Sequence, residues 1–216
     1  MADNDVVSYD RARQALSIGP VDTSKKSLLE AAITAISQRM DELCGPIVRR
    51  TVTEVVEIEH PTTEIRLSVG PVSSIATVTV YQSGSGTVLT GETLAASGGY
   101  LAELQQRIRP DGTSQMLSGE LYRRSSFVNT WWEWPSRVQV VYVAGRYATT
   151  ADAADSRFEQ AALIALRSLW RTYQSQVATA ADGDYAAPFQ AFPSVAIPAA
   201  ALELVSADRV FVAGMA

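Results

Sequence analysis

The sequence predicts an α+β protein: a small α-helical bundle core, two long amphipathic helices plus short terminal helices, with an inserted antiparallel β lobe. Three observations carry that prediction. The hydrophobic period is helical over Asp22–Leu43, switches to two from residue 48, and becomes helical again at Asp152. No helix-length periodic segment separates the strand-like runs, so parallel crossovers have no helix to cross with. Both long helices carry one apolar stripe, and the simplest way to bury two such stripes is against each other.

The first element is a short helix over Tyr9–Leu16, stopped by Gly19-Pro20. Next, Leu29, Ala32, Ile33, Ile36, Met40 and Leu43 recur at three- and four-residue steps, which places them on one helix face. Asp22, Thr23 and Ser24 are candidate N-caps, and Ser27 with Glu30 has the spacing of a capping box. Gly45-Pro46 ends this helix: glycine suits a left-handed C-terminal position, and proline cannot continue.

Strands are expected at Val52–Glu59, Thr63–Val69, Ile75–Gln82, Thr87–Thr90 and Arg137–Val143, where apolar and polar residues alternate or β-branched residues dominate. Gly84-Ser85-Gly86 reads as a hairpin loop. Tyr100–Ile108 is a weaker strand signal, and Pro110-Asp111-Gly112 is a turn. The second long helix spans about Asp155 to Val177, with Phe158, Ala162, Ala165, Leu166, Leu169 and Tyr173 on one stripe and Ser156 with Glu159 as a capping box. Ala178–Pro198, rich in Ala, Gly and Pro, reads as an extended arm. A final helix covers Ala199–Val205, with Pro198 at or near its first position, and Arg209-Val210-Phe211-Val212 is strand-like. The expected organisation is therefore N-terminal helices at 1–47, the β lobe at 48–147, the second long helix at 148–178 and a C-terminal arm with its short helix at 179–216.

Composition excludes more than it suggests. The 216 residues include one histidine (His60), one cysteine (Cys44) and two lysines (Lys25, Lys26). A serine or cysteine triad needs a histidine base, a P-loop needs a lysine after its glycines, and a zinc site needs three or four suitable ligands. The chain offers little for any of these, so no enzyme activity, cofactor or metal is expected. One cysteine forbids an intrachain disulfide. The acidic start Met1-Ala2-Asp3-Asn4-Asp5 is unlike a signal peptide, and no apolar run approaches the length of a membrane span, so the expectation is a protein made in the cytoplasm with no membrane partner. A formal charge of −5 argues against a chain whose work is gripping a phosphate backbone; the basic pairs Arg49-Arg50, Arg107 with Arg109, and Arg123-Arg124 read as solvated surface.

The order of local motifs is similar to that of the siphophage head–tail connector (adaptor, or head-completion) family. The residues concerned are the early Tyr9-Asp10-Arg11-Ala12-Arg13-Gln14-Ala15-Leu16 helix and the long helix ending in Cys44-Gly45-Pro46. They continue through Leu67-Ser68-Val69-Gly70-Pro71-Val72-Ser73-Ser74-Ile75-Ala76-Thr77-Val78 and Val140-Val141-Tyr142-Val143-Ala144-Gly145-Arg146-Tyr147 to the Pro198-led final helix. Gly91–Trp134 has no counterpart in that pattern, and Thr149-Thr150-Ala151 stands where the family usually has a proline. The resemblance implies a structural virion protein in the neck. Its subunits would form a ring of twelve below the portal protein, pass DNA through the lumen without sequence-specific binding, and dock a stopper or other tail-completion protein. A stopper-like ring protein, or a glycan-binding β module with helical wings, is the alternative.

Two segments are candidate partner interfaces. In Trp131-Trp132-Glu133-Trp134 the three tryptophans cannot share one strand face, so either a strand packs on both sides or an aromatic anchor faces a partner. Arg209, Val210, Phe211 and Val212 are either a last strand or an arm that reaches a neighbouring subunit or the portal. His60 before Pro61 reads as a turn residue and Cys44 as an apolar filler. Glu54, Glu57 and Glu59, like Asp182 and Asp184, read as solvated faces rather than calcium or glycosidase carboxylates. On the arm reading, truncation after Val205 impairs ring formation and portal docking, as measured by native mass spectrometry; unchanged assembly rejects the arm.

Overall fold

A computed structural model describes residues 4–20, 25–82, 84–89, 91, 100–108, 114–125, 128–130, 132, 136–180 and 196–208, with backbone alone for those among 100–118, 123–130 and 175–180. It is a mixed helix-and-sheet fold whose strand ladders are antiparallel. The chain divides into two compact units, one of Met1–Val48 with Tyr147–Ala216 and one of Arg49–Arg146.

In the first unit, α1 (Tyr9–Ala15), α2 (Lys26–Cys44), α3 (Arg157–Ala180) and α4 (Ala199–Leu204) share one apolar core. From α2 it takes Leu29, Ala32, Ile33, Ile36, Met40 and Cys44, all at most 2% exposed. Facing them, α3 contributes Phe158, Ala161, Ala162, Ala165, Leu166 and Trp170. Small alanines on α3 leave room for the larger α2 side chains. The stripe on α3 is rotated from the one expected: Trp170 is buried, while Leu169 and Tyr173 pack at its margin.

Helix ends follow local chemistry, with one correction. Ser8 Oγ accepts the Arg11 N–H at the start of α1. Gly45, at φ 71°, ends α2. At the other end of α2 the helix begins at Lys26 behind Lys25, with no side-chain cap, so Ser27 and Glu30 lie inside the helix and form no capping box; Asp22–Ser24 lie outside the described residues. Pro198 is the N-cap of α4, next to the first helical position, and the helix begins at Ala199 as expected. The Ser156–Glu159 box does form: Ser156 Oγ accepts the Glu159 N–H at 3.2 Å, and Glu159 reaches back to the Asp155 N–H at 2.7 Å.

That same carboxylate fastens α1 to α3. Glu159 is 2% exposed and accepts Arg11 Nε at 3.3 Å and an Arg11 Nη at 3.2 Å, while Asp155 takes the other side of the guanidinium. Hydrogen bonding to Glu159, then its charge and that of Asp155, raise the Arg11 pKa, so the cation is firmly held. The unit closes where Val48 bridges Tyr147 in parallel and Ile47 C=O accepts the Tyr147 N–H at 2.9 Å.

The second unit holds two antiparallel sheets. One runs β1 (Arg50–Ile58), β8 (Ser136–Ala144), β3 (Val72–Gln82), β4 (Ser85–Leu89) in spatial order. The other runs β2 (Glu64–Arg66), β6 (Ser114–Ser125), β5 (Tyr100–Ile108), with β7 (Val128–Thr130) also on β6. Their inner residues, including Ile65, Val72, Leu121, Val138, Val140 and Tyr142, form one core. A Cβ on Gly119 would meet Leu67 and Val72 side-chain atoms at 3.0 and 3.1 Å, so glycine is what lets β6 lie this close to β3. β4 begins two residues earlier than expected, with Ser85 and Gly86 already paired in it. The expected strand at Thr63–Val69 shortens to Glu64–Arg66, and Pro110-Asp111-Gly112 lies outside the described residues.

Phe158→Ala empties the centre of the helical core and is expected to cost about 3–5 kcal/mol. Loss of the cap in Ser156→Ala costs about 1 kcal/mol. Urea unfolding at unchanged slope measures both.

Candidate interaction surfaces

Of the predicted tryptophan anchor, Trp132 alone lies among the described residues. It is 1% exposed and sits in the β-unit core, its backbone N–H donating to Thr62 C=O at 2.7 Å in an antiparallel bridge. That side chain faces the interior and offers no surface to a partner. Trp131 and Trp134 lie outside the described residues, as do Arg209, Val210, Phe211 and Val212. The chain before them is anchored: Ser206–Asp208 form a 3-10 turn, and the buried Asp208 carboxylate pairs with Arg157, whose guanidinium also stacks on Phe158. A truncation that tests the arm without disturbing this pair therefore follows Asp208.

The lone histidine and cysteine stay apart. His60 is exposed in a bend, and Cys44 is buried at the end of α2. The three glutamates of the β1 region have separate partners or none in common. Glu57 pairs with Arg137 at 3.0 Å, and Glu54 turns to the other face of the strand. Glu59 falls just past the end of β1. Among the described residues no group of three or more His, Cys, Asp or Glu side chains is arranged to hold a metal ion. Asp182 and Asp184 lie outside them. Among the described residues no helix is long and apolar enough to cross a membrane.

Glu54 forms a polar node. Its carboxylate accepts the Tyr142 hydroxyl at 2.8 Å and the Ser68 N–H at 3.1 and 3.2 Å, while the Val69 N–H donates to the Tyr142 oxygen at 3.3 Å. The node pins the segment after β2 to the first sheet. Burial, then the hydrogen bond to the Glu54 carboxylate, pushes the Tyr142 pKa well above the ordinary phenol value.

Two surfaces have a form suited to contact. On α3, Ile164, Arg167, Ser168, Arg171 and Thr172 line a shallow groove of about 430 Å³ with Pro198. In the first sheet the register places Val55, Gln139, Thr79 and Val88 in one row across all four strands, on the face away from the core. Val55 is 55% exposed and Val88 66% exposed. They occupy the two edge strands, β1 and β4. Sequence reasoning marked the alternation of β1 and β3 but missed this row, because the strand order that creates it is set by long-range pairing.

No protein-family model matches the chain, and no curated protein sequence does. Two solved structures do match in fold. A chain in the neck of an empty gene transfer agent (GTA) particle computed with C6 symmetry superposes with a TM-score of 0.56 at 16% identity, over 100% of this chain and 99% of that one. A chain in the virion of a native GTA particle superposes with a TM-score of 0.54 at 16% identity, over the same shares. The likeness is one of fold, and it runs from end to end.

Tyr142→Phe is expected to cost about 1–2 kcal/mol near neutral pH, from the lost hydrogen bond to a charged acceptor. Because the folded phenol ionises above the unfolded value of about 10, its stabilisation is complete below that pH and is lost as pH rises beyond it. The gap between wild type and variant therefore narrows above pH ~10, read by denaturation midpoints across the alkaline range.

Proposed function

We propose that this chain is the subunit of a head-to-tail connector (adaptor) ring, seated below the portal protein in the neck of a phage-like particle. The ring extends the DNA channel and provides the platform on which a stopper or other tail-completion protein docks. The observation that carries this reading is the end-to-end fold likeness to a chain of a GTA neck. A likeness confined to one unit would support no more than a shared module; here both units are covered. The motif order of the sequence points to the same setting independently.

The adaptor role, rather than that of a stopper, rests on the pairing of α2 and α3, since stopper-like rings are generally β-rich without two long flanking helices. A ring of twelve copies agrees with the C6 symmetry used for the neighbouring particle, which admits six copies or a multiple. The subunit acts without catalysis, and its net negative charge suits a wall along which DNA slides instead of binding. It works in the virion neck after assembly in the host cytoplasm.

Mixing the chain with its portal tests the proposal. Electron microscopy is expected to show a ring of added density on the portal's tail-facing end, and native mass spectrometry a mass consistent with twelve copies. A chain that ignores portal and binds oligosaccharide rejects the adaptor role.

A further inference from the structure

We infer that neighbouring copies join by strand addition, β4 of one copy pairing antiparallel with β1 of the next, so that the first sheet continues from subunit to subunit. The closure of this chain of copies rests on the ring reading above; the pairing itself rests on four features of the sheet.

Every neighbouring pair in the order β1-β8-β3-β4 is antiparallel, so β1 and β4 run in opposite directions. Placing β4 of one copy beside β1 of another continues the alternation with no reversal. The two edges also differ, and pairing unlike edges makes a heterologous contact, the kind that propagates head to tail and closes into a ring.

Charge permits this pairing. β1 carries Arg50, Glu54 and Glu57, with Glu57 paired to Arg137 and Glu54 turned to the core face. β4, Ser85–Leu89, has no charged residue and no proline, two of the devices with which an edge strand is protected against pairing. An uncharged edge meets one of mixed charge without repulsion.

Apolar surface points to the same joint. Val88 and Val55 are the two most exposed large apolar side chains among the described residues, and they lie in one row at opposite edges of one face. Within one chain they are three strand spacings apart, about 14 Å. Continuing the row across β4–β1 sets Val88 of one copy beside Val55 of the next and removes both from water. Among the described residues, neither β1 nor β4 has a second strand partner.

The test uses the full chain assembled with portal. In Val55→Cys/Val88→Cys, oxidation or a short bismaleimide is expected to give a ladder of covalent multimers, while the two single variants and the wild type, with its buried Cys44, stay monomeric on denaturing gels. The intrachain separation forbids a disulfide within one copy. Rings visible by electron microscopy without a ladder overturn the edge pairing and leave the ring reading intact. A ladder without rings supports the pairing and overturns the ring; neither ladder nor rings overturns both. Dimers from Val88→Cys alone indicate β4–β4 contact and overturn the proposal. Val88→Lys, at an exposed site, is expected to keep the monomer's thermal unfolding and weaken assembly about tenfold; assembly at the wild-type concentration counts against the joint.

Discussion

The arrangement depends on a closure. The chain leaves the helical unit after Val48 and returns at Tyr147, and the two ends meet: Ile47 C=O accepts the Tyr147 N–H at 2.9 Å beside the parallel Val48–Tyr147 bridge. Closing a loop of that length carries an entropic cost that grows only slowly with length. It is offset by what the closure permits, since α2 lies before the loop and α3 after it. Each presents an apolar stripe that the other helps to bury, with α1 and α4 completing the same core. Tyr147 also packs edge-on against Phe158, 6.2 Å between ring centroids, so the backbone closure and the first turn of α3 form one piece.

Much of this was legible in the sequence where the signal is local. The stripe of α2 and its Gly45 stop, the capping box of α3, and the alternation of β1, β3 and β8 depend on residues a few positions apart. What escaped depends on distant partners. β6 hides because Gly119, Glu120 and Arg123 interrupt its alternation. Glu120 is nonetheless buried, since Tyr122 donates to it at 2.9 Å and Arg66 pairs with it at 3.3 Å. The order β1-β8-β3-β4 joins strands from both ends of the β unit, so no local pattern shows which strands are edges. At Trp132, the one described position of the aromatic cluster, the side chain packs inward, as in the first of the two readings the cluster allows.

The acids of this chain are employed in holding. Glu159 joins a helix cap to an arginine of α1, Asp208 receives Arg157, Glu54 gathers a loop and a tyrosine, and Asp5, 1% exposed, accepts the Thr34 hydroxyl at 3.1 Å. Each is tied to a donor that would otherwise go unmet in a poorly solvated place.

The interruption of the helical unit also dictates an order of events during synthesis. Residues 49–146 are contiguous, and the β unit can complete as soon as they emerge. α2 is made earlier, yet the part of its apolar face that α3 covers stays open until α3 appears more than a hundred residues later. At ribosomal rates of about 5–20 residues per second, that wait is on the order of ten seconds. α1, seven residues long and fastened through Arg11 to Glu159, waits as long. The first helices made are therefore among the last to be secured.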